Sequence, residues 1–527
     1  MSGGLPRMPY ADGIKKHKTI KFGGYMHTIS ASEGDVYDMT NMSSRAYPSL
    51  MSREKRWMVK KLTKPNGIYS WDGLCYVDGT GFYYGGVRKG TVTDGEKYFA
   101  SLGVYIIIMP DKKYYNTYKD EFGDIEKKYS ASAGTITFAN GTLYDEDAEA
   151  NSLTTSGAAF DFNVGDAVTI EGCTSLPNNN KTPIIREISE DKKTLRFYEY
   201  TFDVGTEMAA ITITRAMPDM DHICVNENRV WGCKGDTVYA SKLGDIFNYN
   251  VFDGTASDAY ATNVGSDGDF TGCVSFLGYP VFFKENHIYK VYGTKPSDYQ
   301  LLGAARGGVK RGCGRSLAIA GETLYYLSNM GVMMYTGALP RPISDPFGGI
   351  RYKNAVAGSD GLKYYVSMQD EDDIYHLFVY DTQRGMWHRE DNTEAVGFAN
   401  DNGLYCLRAD GQIMMIDGEP PAGATKEANV EWSAEFAEFY FDDPNQKGVS
   451  KLQIRAEADA GATLTVEIKY NSGEWQKVAE KTVDKIQSFY LPVIPMRCDH
   501  LTLRLSGNGD VRIQSLVVEA YSGSELY

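Results

Sequence analysis

From residue 67 onward the chain is a succession of short apolar and aromatic runs broken by Gly, Asp and Asn. Residues 68–71 (IYSW), 74–77 (LCYV), 81–84 (GFYY) and 105–108 (YIII) predict strands, with Asp72-Gly73 and residues 78–81 (DGTG) at the corners. Such runs fit a half-buried pleated surface, and Gly and Asp supply the backbone freedom and local hydrogen bonds that tight turns demand. Apolar positions spaced for a helix are almost absent, so the pattern predicts an antiparallel, all-β protein.

Between residues 128 and 216 the texture turns to Ser, Thr, Ala and Asn. Alternation through 162–170 (FNVGDAVTI) around a Gly-Asp corner, followed by 184–188 (IIREI) and 194–197 (TLRF), predicts a small β-barrel-like domain inserted in a larger fold. Beyond it a loose strand-turn-strand unit recurs at 228–239, 278–289, 321–335 and 403–416, with a variant at 361–380. The units start roughly 40 to 50 residues apart, the period of four-stranded propeller blades, although an irregular array of β-sandwiches fits the same spacing. After a linker at 420–424 (PPAGA) the alternation becomes strict, in 452–455 (LQIR), 464–470 (LTVEIKY), 501–505 (LTLRL) and 511–518 (VRIQSLVV). One apolar and one polar face per strand predicts a two-sheet sandwich of about 100 residues.

The fold class expected is therefore all-β: a β-propeller body, an inserted small β-barrel-like domain and a C-terminal β-sandwich. Its parts are an N-terminal arm and the start of the propeller (1–66), the first part of the propeller (67–127), the insert (128–216), the second part of the propeller (217–419) and the sandwich (420–527). At 527 residues the chain exceeds one ordinary core, in keeping with several.

Composition narrows the function. The formal net charge of -15 means that the surface as a whole repels phosphate. No apolar run reaches the length of a membrane-spanning helix, and the first residues hold basic side chains without the apolar core of a secretory signal, so synthesis in a host cytoplasm is expected. Eight cysteines, at 75, 173, 224, 233, 273, 313, 406 and 498, form no CxxC pair and read as reduced, buried thiols. Seven isolated histidines offer no HExxH or HxH spacing, and His376 and His388 read as packed or surface side chains. No metal and no cofactor is expected.

Catalytic signatures are equally sparse. The chain has no GxSxG elbow, no phosphate-binding GxxxxGK[ST] loop and no Asp-box repeat of the sialidase type. The acidic clusters Asp145–Asp147, Asp267 with Asp269, and Asp370–Asp373 lie in turn-like stretches, where Asp is favoured for bonding its own backbone. No catalytic residue is nominated, and the expectation is a chain that is not an enzyme. A pair of carboxylates on a propeller would nonetheless suffice for glycoside hydrolysis, so a carbohydrate-binding or glycan-depolymerising propeller is the alternative.

One segment stands apart from turn filler. Residues 41–56 (NMSSRAYPSLMSREKR) set Arg45, Arg53, Lys55 and Arg56 around Tyr47-Pro48, which reads equally as a basic arm for a phosphate or an acidic partner or as a solvated loop. This segment resembles the opening of the tail-hub, or packaged-DNA stabilisation, proteins of bacteriophages, which are themselves similar to the tail nozzles of short-tailed phages. Residues 228–249 (NRVWGCKGDTVYASKLGDIFNY) are similar to a strand, turn and aromatic pattern of phage propeller proteins, and the C-terminal strands ending at 519–524 (EAYSGS) add a third match. The insert at 128–216 has no counterpart in that resemblance.

The resemblance implies a virion structural protein of the phage tail. It implies a β-propeller body, a homo-oligomeric ring of about six copies below the portal and adaptor, and a channel that retains the packaged genome and conducts it during ejection. Genomic DNA in transit, the portal and adaptor, and other tail proteins would be the partners, and Arg45, Arg53 and Arg56 the contacts to a neighbouring subunit or adaptor. An acidic wall suits passage, because it gives the phosphates nothing to hold. A baseplate or receptor-binding subunit of a long-tailed phage is the further alternative.

Overall fold

The structure, a computed structural model, describes residues 15–142, 149–198, 201–442, 446–494 and 496–522. Among these residues there is no α-helix. Four short 3-10 turns interrupt a chain otherwise built of strands and corners. The chain divides into two compact units, one of residues 63–314 and one of residues 1–62 with 315–527.

The unit of residues 63–314 contains four four-stranded meanders of propeller-blade type, each an antiparallel sheet whose strands are neighbours in sequence. The first is Pro65–Ser70, Leu74–Asp78, Gly81–Tyr84 and Val87–Thr91, and the second runs from Tyr98 to Asp124. The third runs from His222 to Asn263 and the fourth from Gly272 to Ala305. The aromatic and β-branched runs form these strands because one face of each pleat is buried against the next sheet. Cys75, Val77 and Phe82 of the first meander pack with Ile106, Ile108 and Tyr115 of the second. Trp231 and Val238 of the third pack with Phe282, Tyr289 and Val291 of the fourth. Each such side chain taken from water contributes about 1.5–3 kcal/mol, which makes face-to-face stacking the main source of cohesion. The two-residue corner Gly235-Asp236 joins Lys234 to Thr237, and Gly235 sits at φ 57°, where its missing Cβ removes the steric cost of a primed turn.

The insert is part of the same unit. Its strands run from Lys127 to Arg215 and form two open sheets, one of three strands and one of five. Phe138, Leu153, Phe160, Ile170, Phe197 and Ile213 fill a core of their own. The barrel-like insert thus takes the form of two open sheets sharing one core, without closing into a barrel. The run 162–170 yields only the strand Thr169–Glu171, because Asp166 is taken out of the ladder. Its carboxylate accepts the Asn163 amide and pairs with Arg215 at 2.8 Å, while the Arg215 guanidinium also donates to the Ile125 carbonyl and lies 4.8 Å from the Phe247 ring. Those contacts root the insert in the unit that carries it.

The other unit contains three more meanders and the sandwich. The meanders run from Ala318 to Pro342, from Lys353 to Arg389, and from Ala395 to Gly418, the last being completed by a strand from far upstream. Trp57–Lys61 pairs antiparallel with Gln412–Met415 as the fourth strand, and Thr425–Lys426 adds a short fifth. Residues 1–66 are therefore more than an arm and a propeller start. Lys15–Thr19, Val36–Thr40, Met42–Ser43 and Leu50–Ser52 are strands of the sandwich, and only Trp57–Lys61 joins a meander.

The sandwich turns on one long strand, Lys447–Tyr470. Its first half pairs with Val511–Ser522 and its second half with Leu501–Asn508, the switch falling at residues 459–462 where Gly461 has φ 86°. The strict alternation of the sequence is realised in both halves, with Leu452, Ile454 and Ala456 buried in one and Leu464, Val466 and Ile468 in the other. Gln476–Pro492 follows the long strand along its opposite edge through both halves.

Candidate functional site

Residues 41–57 link the sandwich to the last meander, and the three arginines singled out from the sequence lie on this link. Arg56 is 2% exposed and donates to Glu390 at 2.5 Å and to Asp391 at 2.7 Å. Arg53 is 7% exposed and pairs with Glu427 at 2.7 Å while donating to the Asn41 side chain. Arg45, a fifth exposed, pairs with Asp510 of the sandwich and donates to the Ser52 carbonyl. The expectation of an outward-facing arginine cluster is corrected for Arg53 and Arg56. A guanidinium without carboxylates around it would not survive such burial, and the carboxylates here belong to the same chain. The electrostatics agree. Burial pushes the Asp391 carboxyl up, but Arg56, the Thr393 hydroxyl and Arg53 outweigh it and hold the group down at about 2. Glu427 is lowered against its own burial by Arg53.

Two cavities flank this link. One, of about 310 Å³, is lined by Arg45, Arg53, Lys55, Trp57, Lys426 and Asp510 among others, with the Lys426 ammonium 5.1 Å from the Trp57 ring. The second, of about 280 Å³, lies on the other side of Arg53 and is lined by Arg56, Asp360, Tyr365, Glu390 and Asp417. In both, acids and bases alternate, and the arginines already have partners. Tyr365 donates to Asp360 at 3.0 Å, so this carboxylate too is engaged.

A third cavity, of about 380 Å³, opens on the sandwich. Its floor is the outer face of the strands that hold Tyr37, Glu435, Lys469 and Thr502, and its walls are residues 28–31 and 437–440. A register shift between Val36 and Asp38 leaves Tyr37 as the extra residue, the kind of bulge that redirects a side chain out of the regular pleat. Glu435 lies 3.8 Å from the Lys469 ammonium, and burial raises its carboxyl pKa against the pull of Lys469 and Arg504. Tyr440 donates to Glu438, and that bond pushes the phenol up to about 12. Nothing in 431–436 (EWSAEF) or its surroundings marks these residues in advance. A Glu on the polar side of an alternating strand has the look of any solvated position.

The remaining candidates resolve as local structure. Asp370 accepts the backbone amides of Asp372 and Ile374 and the His376 ring at 2.7 Å, which is turn chemistry. Asp267 and Asp269 sit in an exposed corner, where Asp269 lies 3.5 Å from Arg311. Asp145–Asp147 fall outside the described residues. His388 is buried, and burial with the nearby Lys363 charge lowers its pKa to about 4. Among the described residues no group of three or more His, Cys, Asp or Glu is arranged to hold a metal ion. Six of the eight cysteines are buried, and the Cys406 thiol is pushed by burial up to about 12.

No protein-family model matches the chain, and no curated protein does. Among solved structures it is similar to Raptor of Chaetomium thermophilum, with a TM-score of 0.31, 10% identity and 70% of this chain covered. The match spans only 29% of the Raptor chain. It is also similar to the endosialidase of phage phi92, at TM-score 0.26 and 9% identity over 86% of this chain and 79% of that one. An exo-β-1,3-galactanase of Phanerochaete chrysosporium matches at TM-score 0.21 and 9% identity over 55% of this chain and 92% of that one. None of these is a tail-hub or nozzle protein. Against the expectation of a chain that is not an enzyme, glycoside hydrolases and an endosialidase stand among these similar structures, each at 9% identity. The chain is an all-β, propeller-like protein, and no helix among its described residues is long and apolar enough to cross a membrane.

Proposed function

We propose that this chain is a virion protein of a bacteriophage tail, a hub or nozzle subunit that assembles as a ring below the portal and adaptor and conducts the genome during ejection. What supports this reading is the place of residues 41–56. The segment that carries the family resemblance ties the last meander to the sandwich through Arg45, Arg53 and Arg56, so the shared residues have an architectural role here. Residues with that role are the ones two proteins of one architecture would hold in common. The net charge of -15, repeated around a ring, would keep DNA moving by offering few phosphate contacts. Negative-stain micrographs of the purified chain and peptide mass spectrometry of purified phage particles test the reading together. Rings and virion peptides are expected; a chain that stays solitary at every concentration and is missing from the particles would end it. A glycan-directed role is the second reading, and the observation that favours it is the 380 Å³ cavity on the sandwich.

A further inference from the structure

We propose that the sandwich cavity binds a neutral sugar unit of an oligosaccharide, with the Tyr37 and Tyr440 rings facing its C–H surfaces and Glu435, Glu438, Lys469 and Thr502 bonding its hydroxyls. The inference rests on the glycan-directed reading and gives it a site and a ligand class. A volume of about 380 Å³ falls within the range of small-molecule pockets. Its lining mixes two tyrosines and Ile29 with hydrogen-bonding groups of both kinds. A sugar needs this mixture, because each hydroxyl donates and accepts while the ring carbons present an apolar patch. Carboxylates accept; the Lys469 ammonium and the Thr502 hydroxyl donate.

Charge excludes the other classes of ligand. A phosphate or an acidic sugar would meet Glu435 and Glu438 at close range. A quaternary or primary amine would find the aromatic walls suitable, but it would also meet Lys469, which is held only loosely by Glu435 at 3.8 Å. A net-neutral polyol is compatible with both signs at once. The geometry adds an orientation. Lys469 reaches from Glu435 to the Trp475 ring, 4.8 Å away, and Arg504 lies 4.3 Å from the same ring. The polar lining therefore continues along the sheet, in the direction a chain of linked sugars would leave the cavity. Glu435 is the positioning acceptor: it lies 3.8 Å from the Lys469 ammonium, and Arg504, opposite it in the ladder, is held by Glu467 at 2.7 Å, which leaves the Glu435 carboxylate available on the floor.

Titration calorimetry of the full chain with cellotriose, maltotriose and chitotriose tests the site. At least one of the three should bind with a dissociation constant of order 1 mM, as a single shallow subsite gives, and Tyr440→Ala and Glu435→Gln should each weaken it by about tenfold. Tyr118→Ala, at a highly exposed ring of the other unit, should leave it unchanged. Glu435→Gln keeps the shape of the side chain and one acceptor oxygen, so a loss with an unaltered melting curve reports the missing charge and the second acceptor oxygen. Absence of binding to all three sugars overturns the proposal, as does binding that survives both substitutions. Saturable binding of tetramethylammonium or inorganic phosphate that is lost in Glu435→Gln also overturns it. Ring formation and virion membership are read independently, so failure here leaves the hub reading standing and failure there leaves the sugar site standing.

Discussion

Replacing Arg56 with Met should loosen the strand that completes the last meander. The guanidinium is 2% exposed and neutralises Glu390 and Asp391 together, and Met keeps most of its volume while leaving the two carboxylates only the more distant Arg53, 3.8–3.9 Å away, in a poorly solvated place. Removing one partner of a buried ion pair costs about 3–5 kcal/mol, chiefly because the other charge is stranded. The same interaction can be sized from Asp391, whose pKa falls from 3.8 to about 2, a difference worth about 2 kcal/mol. The two figures bracket a fall of about 5–15 °C in the melting temperature of this unit.

Hydrogen exchange would place the damage, with protection lost first at Trp57–Lys61 and Gln412–Gly418. Adding Glu390→Gln and Asp391→Asn to the variant should restore much of the loss, since neutral amides cost less to bury than stranded carboxylates. The pH dependence has a definite sign. A carboxyl with a depressed folded pKa stabilises fully above its unfolded value near 3.8, and the contribution disappears as pH falls toward 2. Wild type should therefore lose stability more steeply than Arg56→Met across that window. A single variant within about 1 kcal/mol of wild type, or a triple variant no better than the single, would refute the reasoning.

Three further outcomes follow from the same structure. His388, lowered to about 4 by burial, is neutral in the fold, so protonation of the unfolded chain should erode stability from pH 6.5 downward by up to about 3 kcal/mol, and His388→Phe should flatten that limb of a stability-versus-pH curve. Gly411 has φ 90°, and a Cβ there would collide with the Leu62 carbonyl, whose own amide donates back to Gly411 at 2.8 Å; Gly411→Ala should cost about 2 kcal/mol or more in urea unfolding. In the insert, Glu207 is held down at about 2, against burial, by the amides of Ala209, Ser175 and Leu176. Glu207→Gln should weaken these bonds and destabilise the insert by about 1–3 kcal/mol, seen as faster proteolysis between Lys127 and Arg215 with the meanders unaffected.

How much of this was legible can be judged at particular residues. The runs LCYV and GFYY announce strands because β-branched and aromatic side chains separated by Asp-Gly corners have few other low-energy arrangements, and the fold uses them so. LTVEIKY shows its buried face by alternation alone. FNVGDAVTI misled for a definite reason: Asp166 satisfies Arg215, fifty positions downstream in round terms, and that bond outcompetes the ladder. The arginines at 45, 53 and 56 were visible as a cluster, but their direction was not. Nothing within residues 41–56 says that Glu390, Asp391, Glu427 and Asp510 will be waiting for them. The sandwich cavity left no trace at all, since Tyr37, Glu435, Lys469 and Thr502 come from four strands spread across most of the chain.

By itself the order of residues determined the local quantities: strand after strand, the turns between them, the inward face of each pleat, and the lack of any spanning helix. Only tertiary structure decided which distant segments complete a sheet, as Trp57–Lys61 does for the last meander, and which charges meet. The division has a physical cause. Backbone conformation and alternation are set by neighbours in sequence through sterics and local hydrogen bonding, whereas ion pairing and cavity shape depend on chain closure, whose favourable energy comes from burying many apolar faces and is shared by no short segment.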